Sequence, residues 1–181
     1  MLFKSVFCVA AAATSAMAAP TVLDRAVCTA NKPIDTFASW ANNTNSLGSV
    51  SGDDKTMGSI SVSGTTLSLT TKTTSYFYEN LPCVDLAAAS SGFTDLSFKL
   101  SGPAQSSFLL EIQTKANCNA TAHSSVFHNV TVPAGTALSQ VTVPLSDFTG
   151  ANLAVATSLT FSTFNKTGDY KLSDLQLVCK K

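Results

Sequence analysis

Residues Phe93–Lys115 read FTDLSFKLSGPAQSSFLLEIQTK, two alternating arms around a break. In the first arm Leu96, Phe98 and Leu100 alternate with Asp95, Ser97 and Lys99. In the second, Phe108, Leu110 and Ile112 alternate with Leu109, Glu111 and Gln113. A period of two is the signature of a strand buried on one face. Ser101-Gly102-Pro103 interrupts it, because glycine relieves backbone constraint while proline fixes φ and lacks a ladder donor. The expectation is a hairpin at the middle of a β-sandwich, with any functional site on the solvent faces.

The same period recurs on both sides of this stretch. Ser59–Val62 and Thr66–Lys72 alternate around Gly64-Thr65, which predicts a second hairpin. Thr74–Asn80, TTSYFYEN, predicts an aromatic strand with Tyr76 and Tyr78 on one face and Phe77 and Glu79 on the other. Val84–Ser90 has local helix propensity but supports barely two turns. Strands are further expected over Ser125–Val132, over Gln140–Leu145, where Pro144 argues for a sheet edge, over Leu159–Phe164 and over Tyr170–Cys179. Nine or ten short strands and at most one short helix make the chain all-β, an antiparallel sandwich.

The first residues carry a different message. Lys4 precedes an uncharged apolar run, Val6–Met17, that ends in Ala16-Met17-Ala18-Ala19. This predicts a secretory signal peptide over 1–18. The run is too short for a membrane anchor, which needs ~20 residues to cross the hydrocarbon core. Residues 19–33 read as an N-terminal lead-in and 34–181 as one sandwich domain. The leader holds one basic residue, so ten Lys and Arg then face eleven Asp and Glu, a formal charge of −1. With no basic stripe, nothing favours nucleic acid or anionic lipid as partner.

Cys8 departs with the leader, leaving Cys28, Cys83, Cys118 and Cys179. An even number in a secreted chain predicts two disulfides. Of three pairings, Cys28 with Cys179 and Cys83 with Cys118 is favoured, since the first would join termini that lie adjacent in many sandwiches. Their spacings match no zinc motif. Sequons at Asn42, Asn119, Asn129 and Asn165 are candidate N-glycosylation sites on the surface of a secreted protein.

With the strands in order, the chain resembles small secreted fungal proteins that share a galactose-binding-like jelly roll, the architecture of many non-catalytic carbohydrate-binding modules. The resemblance is carried by Ile34-Asp35-Thr36-Phe37, by Tyr76–Cys83 (YFYENLPC), by Phe93–Leu100 with Phe108–Lys115, by the Val143–Phe148 corner (VPLSDF) and by Leu172–Cys179 (LSDLQLVC). It implies a jelly-roll fold and a secreted, extracellular or cell-wall protein that binds a polysaccharide or oligosaccharide. The expected state is a monomer. The alternative is a structural wall protein, or a secreted effector that meets a protein partner.

Candidate residues follow from sugar chemistry. The apolar C–H face of a pyranose stacks on an aromatic ring while polar neighbours bond its hydroxyls. Tyr76, Tyr78 and Phe164 are the candidate rings, and Glu111 and Gln113, about 7 Å apart along one strand face, are the candidate hydroxyl partners. Trp40 is a further available ring, read in the first place as a core plug beside Phe37. The resemblance also implies a structural calcium between the first and last strands, with Asp35 and Asp174 as carboxylate ligands, and Asp53-Asp54 is a second carboxylate pair. No other cofactor is expected. Nor is catalysis: glycoside hydrolysis would need two carboxylates roughly 5 to 10 Å apart in one cleft, and no Gly-x-Ser-x-Gly elbow or phosphate loop is present. His123 is expected in a loop and His128 in a strand, which separates them as ligands.

Overall fold

The computed structural model describes residues 28–179. The expected signal peptide over 1–18 and residues 19–27 of the expected lead-in lie outside the described residues. The strands are β1 (Lys32–Asp35), β2 (Ser51–Gly52), β3 (Ser59–Ser63), β4 (Thr66–Thr71) and β5 (Phe77–Val84), then, after a four-residue helix α1 (Ala88–Ser91), β6 (Phe93–Ser101), β7 (Ser107–Lys115), β8 (His123–Thr131), β9 (Ser139–Pro144), β10 (Ala156–Ser162) and β11 (Gly168–Cys179). All pairings are antiparallel. One sheet runs β3-β4-β11-β6-β9, with β1 on the far half of β11, and the other runs β2-β5-β10-β7-β8. The fold is an all-β jelly-roll sandwich, as expected.

The central stretch is corrected in one respect. β6 and β7 are not a hairpin: β6 pairs with β11 and β9, whereas β7 pairs with β10 and β8. Alternation reports which face a strand buries, and it is silent on which sheet the strand joins. Here the two apolar faces look at each other across the core, and the loop after Ser101 carries the chain from one layer to the other. Gly102 is required there by a close approach and not by its backbone angles, since a Cβ would lie 2.6 Å from Cδ1 of Tyr170. The Gly64 hairpin does form, with Ser63 opposite Thr66 and Gly64 at φ +62°.

The core is aromatic at its centre. Phe161 of β10 lies 5.7 Å from Phe98 of the opposite sheet and 5.7 and 6.0 Å from Phe108 and Phe77 of its own. Two disulfides close the structure, Cys28–Cys179 and Cys83–Cys118. The first ties the beginning of the described chain to its end, and each such bridge stabilises by roughly 2 to 4 kcal/mol, mainly through the unfolded chain. β9 is a sheet edge, as Pro144 requires.

Three residues with positive φ interrupt the alternation. Thr163 (φ +53°) follows β10, Cys83 (φ +56°) sits near the end of β5, and Asp174 (φ +53°) lies inside β11. At Asp174 the ladder with β6 shifts, Ser173 pairing with Lys99 but Gln176 with Ser97. The buried set of β11 changes from Tyr170 and Leu172 to Leu175, Leu177 and Cys179 across this bulge.

Candidate functional site

On β5 the period-two rule separates two chemistries. Phe77 and Glu79 point into the core at 0% exposure, while Tyr76, just before the strand, and Tyr78 face out. β10 lies beside β5, and β7 beside β10, so that Tyr78 is level with Thr160 and Thr160 with Glu111. Asn80 is likewise level with Ser158 and Ser158 with Gln113. These seven residues line an open groove of ≈ 300 Å³ on the outer face of the five-stranded sheet. Tyr76, Tyr78, Glu111 and Gln113, named from sequence alternation, thus come together in one place.

Asp54 positions the two tyrosines. Tyr76 donates its hydroxyl to Oδ2 of Asp54 at 2.8 Å and Tyr78 donates to Oδ1 at 3.1 Å, and the rings stand 6.4 Å apart at 31°. The Asp53–Met57 turn holds that carboxylate in place. Asp54 and Lys55 both have positive φ, and the side chain of Asp53 accepts from the backbone N–H of Met57. The bond to Asp54 raises the Tyr76 pKa above its usual 10.0, and burial followed by the same bond raises that of Tyr78. Both phenols therefore stay neutral and keep their donor protons on Asp54. Across the groove, Gln113 donates to Oε1 of Glu111 at 3.0 Å. The arrangement offers two ring faces beside an amide–carboxylate pair, which suits a ligand with apolar faces and many hydroxyls.

Other expected site residues lie elsewhere. Phe164 is a core residue at 8% exposure, 5.5 Å from Phe108 and 4.8 Å from Tyr170. The left-handed Thr163 ahead of it turns a ring that strict alternation would place outside toward the interior. Trp40 is half-buried at the margin of the core, its ring 5.9 Å from Phe77, and lies outside the groove. His123 is the first residue of β8 and not part of a loop, and His128 meets Asp147 at 3.4 Å on another part of the surface.

The residues expected to share a calcium do not fit one. The bulge throws Asp174 outward, where it pairs with Lys99 at 2.8 Å, whereas Asp35 is turned into the core at 1% exposure. Asp53 and Asp54 also diverge, one to the Met57 backbone and one to the tyrosines. Among the described residues no cluster of three or more His, Cys, Asp or Glu could hold a metal ion.

Asp35 instead lies against Glu79. Oδ1 of Asp35 accepts from the backbone N–H of Phe37 and Oε2 of Glu79 from the side chain of Asn45, leaving Oδ2 and Oε1 without partners. Burial raises both pKa values, that of Glu79 well above its ordinary 4.5 and with the Asp35 charge adding to it. A proton held between the two carboxyls would give each orphaned oxygen a partner. This pair lies on the inner side of β5, away from the groove.

Asn80, Ser158 and Thr160 complete the groove lining and were not singled out as site residues in the sequence, whereas Asp54, named there only as one of a carboxylate pair, supports the two tyrosines. Thr160 already stood opposite Leu159 and Phe161 in the alternation of LTFSTF. What a single chain conceals is that β10 inserts between β5 and β7 and so places Thr160 and Ser158 at the groove floor.

No protein-family model matches this sequence, and no curated protein sequence matches it. Solved structures do. A family 11 carbohydrate-binding module from Clostridium thermocellum, in complex with a β-1,3-1,4-mixed-linked tetrasaccharide, superimposes with a TM-score of 0.60 at 16% identity, covering 84% of this chain and 97% of that one. A family 30 carbohydrate-binding module of a cellulosomal cellulase of Clostridium thermocellum gives 0.54 at 20% identity, covering 74% and 93%. An exo-β-agarase gives 0.60 at 10% identity over 83% of this chain and 25% of its own length. The chain therefore shares the jelly roll of carbohydrate-binding modules.

Proposed function

We propose that this protein is a secreted, non-catalytic carbohydrate-binding protein that recognises extracellular or cell-wall polysaccharide through the groove of its five-stranded sheet. The observation that carries the reading is the in-register meeting of Tyr78 with Thr160 and Glu111 on the outer face of the sheet, with Tyr76 tied to the same Asp54 as Tyr78. In this reading the tyrosine rings stack on pyranose faces, and Glu111, Gln113 and Asn80 bond the hydroxyls. The jelly roll shared with carbohydrate-binding modules supports the same function. Two features favour binding without bond cleavage. Glu111 is the one carboxylate among the groove-lining residues, and the chain's other glutamate faces the core. Asn42, Asn119, Asn129 and Asn165 are all exposed and are proposed as glycan carriers on a monomer.

Retention on insoluble chitin, mannan and β-glucan tests the proposal, with mixed-linkage β-glucan tried first because of the tetrasaccharide bound to the family 11 module. Wild-type protein is expected to be retained on at least one of them, with Tyr78→Ala and Glu111→Ala each weakening binding about 10-fold. No retention on any glycan would overturn the reading in favour of a protein partner.

A further inference from the structure

Phe127 leaves a large ring in water. It lies on β8, the edge of the five-stranded sheet, at 51% exposure. Val126, His128 and Val130 turn to the core side of this strand, and Ser125, Phe127 and Asn129 face out. A small or β-branched residue would satisfy an edge strand without leaving a ring in water. The register explains the choice. Phe127 is directly opposite Glu111, Glu111 is level with Thr160, and Thr160 with Tyr78. A single line across four strands, taken from Tyr78, thus reads ring, hydroxyl, carboxylate, ring, and the two ring-bearing strands are about 14 Å apart, three strand spacings. The adjacent line, Asn80, Ser158, Gln113 and Ser125, is polar throughout.

We propose that Phe127 is a second stacking platform of this site, and that the sheet binds an extended linear polysaccharide laid across its strands. The inference rests on the carbohydrate-binding reading and specifies the form of ligand it takes. A single pyranose on the tyrosines cannot touch Phe127, and a disaccharide anchored there ends over Thr160 and Glu111. Only a longer chain engages both rings while its hydroxyls meet the polar residues between them. Because β8 is an edge strand, no further strand walls the groove beyond Phe127, so the chain can continue and internal stretches are recognised as well as ends. A protein partner is disfavoured by the surroundings. The neighbours Ser125, Asn129 and Glu111 break the surface around Phe127, and protein-binding patches are contiguous and cover several hundred Å².

Calorimetric titration with chito-, manno- and laminari-oligosaccharides and mixed-linkage β-gluco-oligosaccharides, each as di-, tetra- and hexasaccharide, tests the proposal. The protein is made in a host without N-glycosylation, since Asn129 of an expected sequon lies on the same face two residues away. Phe127→Ala is expected to weaken hexasaccharide binding about 10-fold, to leave disaccharide binding unchanged, and to melt as wild type does. Phe127→Trp is expected to retain hexasaccharide affinity. Hexasaccharide binding by Phe127→Ala equal to wild type, or equal losses for disaccharide and hexasaccharide, would overturn the inference while leaving the binding function standing. If the wild type binds no oligosaccharide of any length the inference falls, and if it is also retained on no insoluble polysaccharide the binding function falls with it.

Discussion

The two glutamates of this chain stand on the same sheet, two strands apart, and meet opposite fates. Glu79 on β5 points inward, fully buried against Asp35 with one oxygen unpartnered. Glu111 on β7 points outward into the groove with Gln113 as its partner. The residue type is the same, and the parity of its position decides which environment it meets. The inner face holds a close-packed aromatic core with a buried acid pair, and the outer face keeps Glu111, 9% exposed at the groove, paired to the half-buried Gln113. Substitutions on the two faces should therefore fail in different ways, inner ones in stability and outer ones in binding.

The strongest test of this division is Phe164, which alternation assigned to the outer face and the structure assigns to the core. Phe164→Ala removes a ring packed between Phe108 and Tyr170 and should destabilise the fold by about 3 to 5 kcal/mol. Urea titration measures the loss. Where the variant is folded it should bind polysaccharide as the wild type does. A variant of unchanged stability that loses binding would return Phe164 to the site.

A smaller effect is expected at Glu79, and it depends on pH. Its pKa in the folded protein is raised, so the folded state holds a proton that the unfolded state releases once pH passes about 4.5. The associated stability is complete below that value and is lost as pH climbs toward the raised pKa. Asp35, also raised, contributes in the same direction. Glu79→Gln keeps an acceptor for Asn45, can donate to Asp35 and cannot ionise. It should make the protein about 1 to 3 kcal/mol more stable at neutral pH and flatten the decline above pH 4.5. Unfolding free energies measured across that range decide the matter, and an unchanged slope would rule out a shared proton.

The alternation that misplaced Phe164 correctly placed four groove residues, and the difference has a physical cause. Tyr76, Tyr78, Glu111 and Gln113 lie in or directly beside uninterrupted stretches, where period two alone determines the face. Phe164 and Asp174 come at or after left-handed residues, which reset the parity without any glycine to announce it. Phe93–Lys115 was legible as two half-buried strands but not as members of different sheets, because sheet membership depends on partners distant in the chain. The fully buried Asp35–Glu79 pair was invisible for the same reason. Asp35 belongs to β1 and Glu79 to β5, and only the closed sandwich makes them neighbours.

The subtlest consequence of the outer face concerns Asp54, a loop residue that touches neither the core nor, in the proposed mode, the sugar. Its work is to hold two phenols at a fixed tilt, so that less side-chain freedom is lost when a ligand arrives. Asp54→Ala should leave stability nearly unchanged, because both bonds are exposed, and should weaken polysaccharide binding only two- to five-fold. A spectroscopic signature separates this from a general disturbance of the groove. The Tyr76 pKa is raised chiefly by the bond to Asp54, while that of Tyr78 is raised first by burial. In an NMR titration of Asp54→Ala that follows each tyrosine ring separately, Tyr76 should therefore return toward 10.0 and Tyr78 should move less. Equal movement of both, or of neither, would mean that Asp54 does not hold the pair as the geometry indicates.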